Sequence, residues 1–386
     1  MPPPIENEPG PAEKTARRRA GAVLLVLGAT LLLAAASGTV LSRSLAHVAS
    51  GSEALGNFRA RIDSAVARAG SPPFRFAVLG DAMPGTSVLE DQLAYLEARG
   101  DVAFAVATGD LAPDGRSSSF ESVVATLRAV APSFPLLVAP SDSLASEGES
   151  AFLSFAGPRE VAFVAASALF VVCDNAREPL AGERLVFLEN ALRRYGRDVR
   201  RLFVFLNRPP LALPPDDGAA ATPEASAWDA AHAEFRRLAQ QYRVDRVFSG
   251  HARGFREVER EGVTYVVAGR GGAAGAFAAE DASLVDVEVR SDKVLVSRVT
   301  VAAGPSPGAV ARQFGYASLR PLAAAWCGPV AWTGLVLVLV GLLLAVRLEA
   351  PGAHGPAPER PKRGAPRFEG GERAAAATRF PARNGG

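Results

Sequence analysis
The chain of 386 residues is long enough for one large domain or two ordinary ones, and 48% of it is hydrophobic. A net charge of +2 and the lack of a basic–aromatic stripe give no reason to expect a nucleic-acid partner. The two cysteines, Cys173 and Cys327, lie far apart, and Cys327 falls in an apolar run assigned below to a membrane, so no structural disulfide between them is expected.

Residues 1–19 are rich in Pro and Glu and end in Arg17, Arg18 and Arg19, the composition of a disordered cytoplasmic N-terminus. Residues 20–41 are uncharged and long enough, at about 1.5 Å per residue, to cross a bilayer. A cleaved signal peptide is the competing reading, with Ala34–Gly38 as its small-residue site, but the apolar part is longer than a usual signal core. In residues 42–71 the positions Leu55, Phe58, Ile62 and Val66 recur at helical spacing and predict an amphipathic juxtamembrane helix packed on its own domain.

From residue 72 to 302 short apolar runs alternate with helical stretches. The predicted strands are Phe76–Leu79, Val102–Val106, Leu136–Val138, Ala168–Cys173, Leu202–Leu206 and Arg246–Phe248. The predicted helices are Val88–Arg99, Phe120–Val130, Ala181–Arg194 and Ala227–Gln241. Val263–Ala268, Leu284–Val289 and Val294–Val299 then read as strands, the last two joined by a hairpin turn at Arg290–Asp292. The pattern is α/β with an added β region. Residues 303–320 link it to a second uncharged run, 321–346, which carries Trp326 and Trp332, and residues 347–386 form a Pro-, Gly- and Arg-rich tail expected to be disordered. Basic residues lie outside both apolar runs, at Arg17–Arg19 and at Arg347, Arg360, Lys362, Arg363 and Arg367. The positive-inside rule then predicts a two-pass cell-membrane protein with both termini cytoplasmic and the domain extracytoplasmic.

Two buried strands end in Gly-Asp corners, FRFAVLGD at 74–81 and VATGD at 106–110, and a third loop reads VFSGHARGF at 247–255. A carboxylate at the C-terminal end of a buried strand sits where open α/β sheets place their ligands. In order, LGDAMPG (79–85), TGDLAPDG (108–115), LVAPSDS (137–143), FVFLNRPP (203–210) and SGHARGF (249–255) resemble the motifs of the calcineurin-like metallophosphoesterases, the family that includes the purple acid phosphatases. The resemblance covers roughly residues 74–301. It implies a four-layer αββα sandwich, here flanked by two transmembrane helices, with two metal ions held on the loops after its strands.

The same resemblance exposes departures. Asp81, Asp110 and His251 keep the family's ligand types, but Met83 stands for the first histidine, Ser141 for the amide ligand, Asn207 for the lone histidine and Arg253 for the last. Asp142 replaces the histidine that helps protonate the leaving group, and is the candidate catalytic acid if hydrolysis survives. Ser141 and Asn207 still offer oxygen, so at most one divalent metal (Mn, Fe or Zn) is expected, or none. A guanidinium cannot ligate a metal and repels a cation. Three occupants are therefore open: an ion cluster of Asp81, Asp110 and Arg253; a phosphate or carboxylate gripped by Arg253 with Arg208 or Arg270; or one metal on Asp110, Asn207 and His251. His232, in a predicted helix, reads as a surface or packing residue. The reading is a membrane-anchored, extracytoplasmic, non-catalytic binding or sensing domain, with an anionic phosphate-containing ligand or an envelope protein as partner. The alternative is a divergent metal-dependent phosphoesterase acting on an extracytoplasmic phosphate ester.

Overall fold
In FRFAVL the side chains alternate between two apolar faces, and the resulting strand β1 (Phe74–Leu79) is buried on both. In a computed structural model, residues 10–49, 54–80, 86–112, 115–142, 148–213, 222–252, 254–269, 283–301, 307–315 and 319–346 are described. β1 pairs in parallel with β2 (Val102–Ala107), which pairs with β3 (Leu136–Val138). On its other side β1 pairs antiparallel with β10 (Ser283–Val289), and β10 with β11 (Val294–Thr300) across a turn closed by Arg290 N–H donating to Lys293 O. The second sheet runs β4 (Val161–Ala165), β5 (Ala168–Val172), β6 (Arg201–Phe205), β7 (Arg246–Ser249), β9 (Val263–Val267), β8 (Arg256–Arg260), with β5, β6, β7 and β9 parallel.

The layers follow from where the apolar faces go. Between the sheets lies a phenylalanine core: Phe76 stacks on Phe104 at 5.4 Å and meets Phe170, Phe203, Phe205 and Phe248 edge-on. The opposite face of the first sheet, Ala77, Leu79 and Ala105, is covered by α3 (Thr86–Arg99), α4 (Ser117–Val130) and α5 (Gly148–Ala156). The outer face of the second, Leu169, Val171, Leu202 and Val204, is covered by α6 (Gly182–Tyr195) and α8 (Ala233–Gln241). This is the α/β/β/α sandwich that the motifs imply.

Two differences from the sequence reading concern elements near the site. The helix expected over Ala227–Gln241 is two, α7 (Pro223–Ala231) and α8, broken at His232, and α7 starts on a Thr222 cap whose hydroxyl accepts from Ala225 N–H. Leu55, read as part of a helical stripe, instead bridges to Leu136 on the free edge of β3, and helix α2 spans only Arg59–Ala69. That helix does pack on its own domain, burying Ala65 and Ala69 in the core between the sheets.

The chain forms two compact units, Val26–Val338 and one made of its two outer segments. Helices α1 (Pro11–Ala49) and α10 (Arg320–Val346) contain windows of mean hydropathy 2.2 that are long and apolar enough to cross a membrane. Helix α1 begins at Pro11, so part of the stretch expected to be disordered is helical; residues 1–9 and the 347–386 tail lie outside the described residues. Within the larger unit α1 and α10 approach backbone to backbone: a Cβ on Gly28 would lie 2.7 Å from Gly334 O. Helix α9 (Pro307–Phe314) precedes α10 and rests against α3 and α4.

Candidate functional site
Parallel pairing brings the C-terminal ends of β1, β2 and β3 to one edge of the first sheet, and those of β5, β6, β7 and β9 to one edge of the second. The loops there carry Asp110, Ser141, Asp142, Asn207, Arg208 and His251. Asp81, Met83, Arg253 and Arg270 lie outside the described residues. Asp110, Ser141, Asp142, Asn207, Arg208 and His251 lie within them.

The turn after β2 is set by Thr108, whose N–H and hydroxyl both donate to Leu79 O, at 2.9 and 3.1 Å. Gly109 follows at φ +113°, where a Cβ would meet Asn207 Nδ2 at 2.0 Å, so only glycine lets the chain turn here. Asp110 comes next, 6% exposed and at φ 51°. His251 also has a left-handed backbone, φ 61°. That conformation costs a non-glycine residue roughly 1 kcal/mol or more, and persists only where the surroundings impose it.

Two contacts tie the sheets together at this edge. Asn207, fully buried, donates its Nδ2 to Thr108 O at 2.9 Å, while its backbone carbonyl accepts from Gly250 N–H, next to His251. A Cβ on Gly80 would lie 1.8 Å from Gly269 O, so the loops after β1 and β9 touch through backbone alone. Asn175 fastens the loop after β6: its Oδ1 accepts from the N–H of Asn207 and of Arg208, and its Nδ2 donates to Arg208 O. Asp174 Oδ1 accepts from Ala176 N–H, so both residues hold loop backbone.

These constraints bring Asp110, Asp142 and His251 together, with one ligand atom from each within 4.8 Å of the others. His251 Nδ1 lies 3.5 Å from Asp142 Oδ2. Ser141 and Asn207 both line the space beside Gly109. Arg208, expected to grip an anion, has its guanidinium 4.0 Å over the Trp228 ring, and Trp228 Nε1 donates to Pro209 O. No pattern in the sequence marks Trp228 as that platform. His232 stands apart from the cluster: it is fully buried, its Nε2 accepts from Leu180 N–H and its Nδ1 bonds Trp228 O, so it is a packing residue and not a surface one. Burial lowers its pKa to about 4. Cys173 is also sealed, and burial pushes its thiol well up, which disqualifies it as a nucleophile.

The residues do not fit a dinuclear metal centre. The centre that the resemblance implies takes imidazole and amide ligands beside its carboxylates. His251 is the one imidazole at this edge among the described residues, and the fully buried Asn207 has spent its amide nitrogen on a backbone carbonyl. Its Oδ1 is the only donor that residue has left. Arg253 cannot ligate at all.

Layer order, parallel core strands and this loop constellation define the fold as that of the calcineurin-like metallophosphoesterases. No family model and no curated protein matches the sequence. Similar solved structures include a purple acid phosphatase from yellow lupin (Lupinus luteus) seeds, 14% identical, covering 60% of this chain and 52% of that one, TM-score 0.47. Two others are GAP50, the anchor in the inner membrane complex of Plasmodium (12% identity, 64% and 95% covered, TM-score 0.43), and a putative 5'-nucleotidase from Staphylococcus aureus (11%, 66% and 58%, 0.40). The chain thus spans about half the length of the lupin enzyme.

Proposed function
We propose that this chain is a membrane-anchored, metallophosphoesterase-like domain that binds or senses a ligand outside the cytoplasm and does not hydrolyse phosphate esters. The observation that carries the reading is Asn207. It occupies the lone-histidine position of the resemblance, and its amide serves to join the two sheets through Thr108 O. Hydrolysis by two metals needs both the attacking and the leaving oxygen clamped, and the donors for a second ion are missing from this set.

Two apolar helices and the basic residues beyond them support the anchor and its orientation. The arginines 208, 253 and 270 support a ligand that carries phosphate or carboxylate. The convergence of Asp110, Asp142 and His251 favours the alternative of a divergent phosphoesterase with Asp142 as acid, and one assay separates the two. The full chain in detergent is given an aryl phosphate and an aryl phosphodiester with added Mn²⁺ or Zn²⁺. The expected result is no turnover above that of an Asp110→Ala variant. Turnover that disappears in Asp110→Ala overturns the non-catalytic reading.

A further inference from the structure
At the other end of β3 from the site loops the chain forms a cavity of about 550 Å³. That is within the range of about 300–1,000 Å³ that small-molecule sites occupy. Arg61 and Ser64 line it from α2, Leu127 and Arg128 from the last turn of α4, and Ser133 and Phe134 from the loop leading into β3. Among the described residues, no Asp or Glu lines it.

Each wall is fastened from outside. Ala131 ends α4 in a left-handed conformation, φ 52°, with its N–H donating to Leu127 O at 2.7 Å. Ser133 N–H donates to Glu97 Oε2 at 2.7 Å, and the Arg68 guanidinium, held on Val102 O at 3.0 Å, lies 3.5 Å from Ser133 Oγ. Those two side chains are opposite in charge and offset each other. Pro135 O accepts from Ala105 N–H, and Leu136 N–H donates to Ala54 O, which fixes Ala54 on the rim. A site whose walls are already ordered loses little freedom when a ligand enters.

What enters is set by charge and donor type. Arg61 and Arg128 bring two permanent positive charges, and a guanidinium pairs with phosphate or carboxylate through two parallel N–H···O bonds. Two guanidiniums with two serine hydroxyls offer more donors than the two oxygens of one carboxylate need, and suit a phosphate better. Leu127 and Phe134 provide apolar wall for an organic group attached to it. Ala54 follows Ala49, the last residue of α1, by five residues, a reach of at most about 18 Å. The rim is therefore close to the chain's exit from an apolar helix, where a lipid headgroup and a soluble ester both have access.

We propose that this cavity binds one phosphate-ester anion through Arg61 and Arg128, as a site separate from the loops that carry Asp110 and His251. The test is calorimetric titration of the full chain in detergent with glycerol phosphate and with dihexanoyl phosphatidylglycerol, the heat of dilution into detergent being subtracted. One equivalent is expected to bind. Arg61→Gln and Arg128→Gln are each expected to weaken binding at least tenfold, Arg128 being exposed and replaceable without loss of the fold. Ser64→Glu keeps both arginines, puts a carboxylate in the wall, and is expected to abolish binding. Lipid bound at least tenfold more tightly than glycerol phosphate assigns the headgroup, and a smaller ratio assigns the soluble ester. No heat with either anion, dihexanoyl phosphatidylcholine bound as tightly as phosphatidylglycerol, or an affinity unmoved by the three substitutions overturns the proposal. So does binding lost in Arg208→Gln but kept in Arg61→Gln and Arg128→Gln, which would place the anion on the strand-end loops.

Discussion
His232 makes the stability of this domain depend on pH. The ring is sealed between Trp228, 4.6 Å away, and Phe235, 6.3 Å away, with its Nε2 lone pair taken by Leu180 N–H. Protonation would break that bond and bury a charge, hence a folded pKa of about 4 against 6.5 unfolded. Between those values the unfolded chain binds more protons than the native one, so this contribution is complete above pH 6.5 and is lost as the pH falls towards 4. The shift corresponds to about 3 kcal/mol. Thermal unfolding of the full chain at pH 7.5 and 4.5 measures it. His232→Gln is expected to lower the midpoint at pH 7.5 and to flatten the fall between the two, and an equal fall in both proteins would contradict this origin. The residue's internal position was not legible in the sequence, because a continuous helix over Ala227–Gln241 puts no constraint on it. It is the break at His232 that turns the ring under Trp228 and against Leu180.

Among elements, the one that closes the first sheet was misread for a related reason. β3 is an edge strand, and an edge with free N–H and C=O groups needs a cover. Leu136 N–H donates to Ala54 O and Gly56 N–H to Leu136 O, after which Asn57 continues the ladder with its side chain. Its Oδ1 accepts from Val138 N–H at 3.0 Å, and its Nδ2 donates to Val138 O at 2.7 Å and Pro158 O at 2.8 Å. Asn57→Ala strands these buried groups and is expected to cost about 2–3 kcal/mol. That is a drop of roughly 5–10 °C in the thermal midpoint for a domain of this size; an unchanged midpoint would show that the edge needs no cap. Helical spacing alone pointed to Leu55 as helix, since a two-residue bridge leaves no periodic trace. β8, REVER, escaped for the opposite reason: an edge strand exposed on alternate residues has no apolar run to find. The central strands and the Gly-Asp corners were legible because burial on both faces demands continuous apolar residues, and a tight turn demands glycine. What could not be read was the meeting of loops from different sheets. Asn207 on Thr108 O and Arg208 on Trp228 depend on how the two sheets approach, not on any local pattern.

For the whole molecule, the question is which side of a membrane the site faces. Chain on either side of the domain is fastened to the first sheet and its helices, by residues 54–57 on the β3 edge before it and by α9 against α3 and α4 after it. Between them the domain holds Asp110, Asp142 and His251 on loops at the strand ends. The apolar runs are bounded by Arg17–Arg19 on one side and Arg347 with the basic tail on the other, and cytoplasmic retention of such residues sets orientation. Single cysteines test this in a Cys327→Ser background, the remaining Cys173 being fully buried. Ser291→Cys, in the exposed turn between β10 and β11, is expected to react with a membrane-impermeant maleimide on intact cells. Lys14→Cys, exposed at the start of α1, is expected to react only after the membrane is opened. The reverse labelling would put the loops in the cytoplasm and remove the extracytoplasmic ligand. Labelling of Ser291→Cys on a shortened chain, with position 14 unlabelled even after the membrane is opened, would instead mean that the first apolar run is cleaved, leaving α10 as the sole anchor.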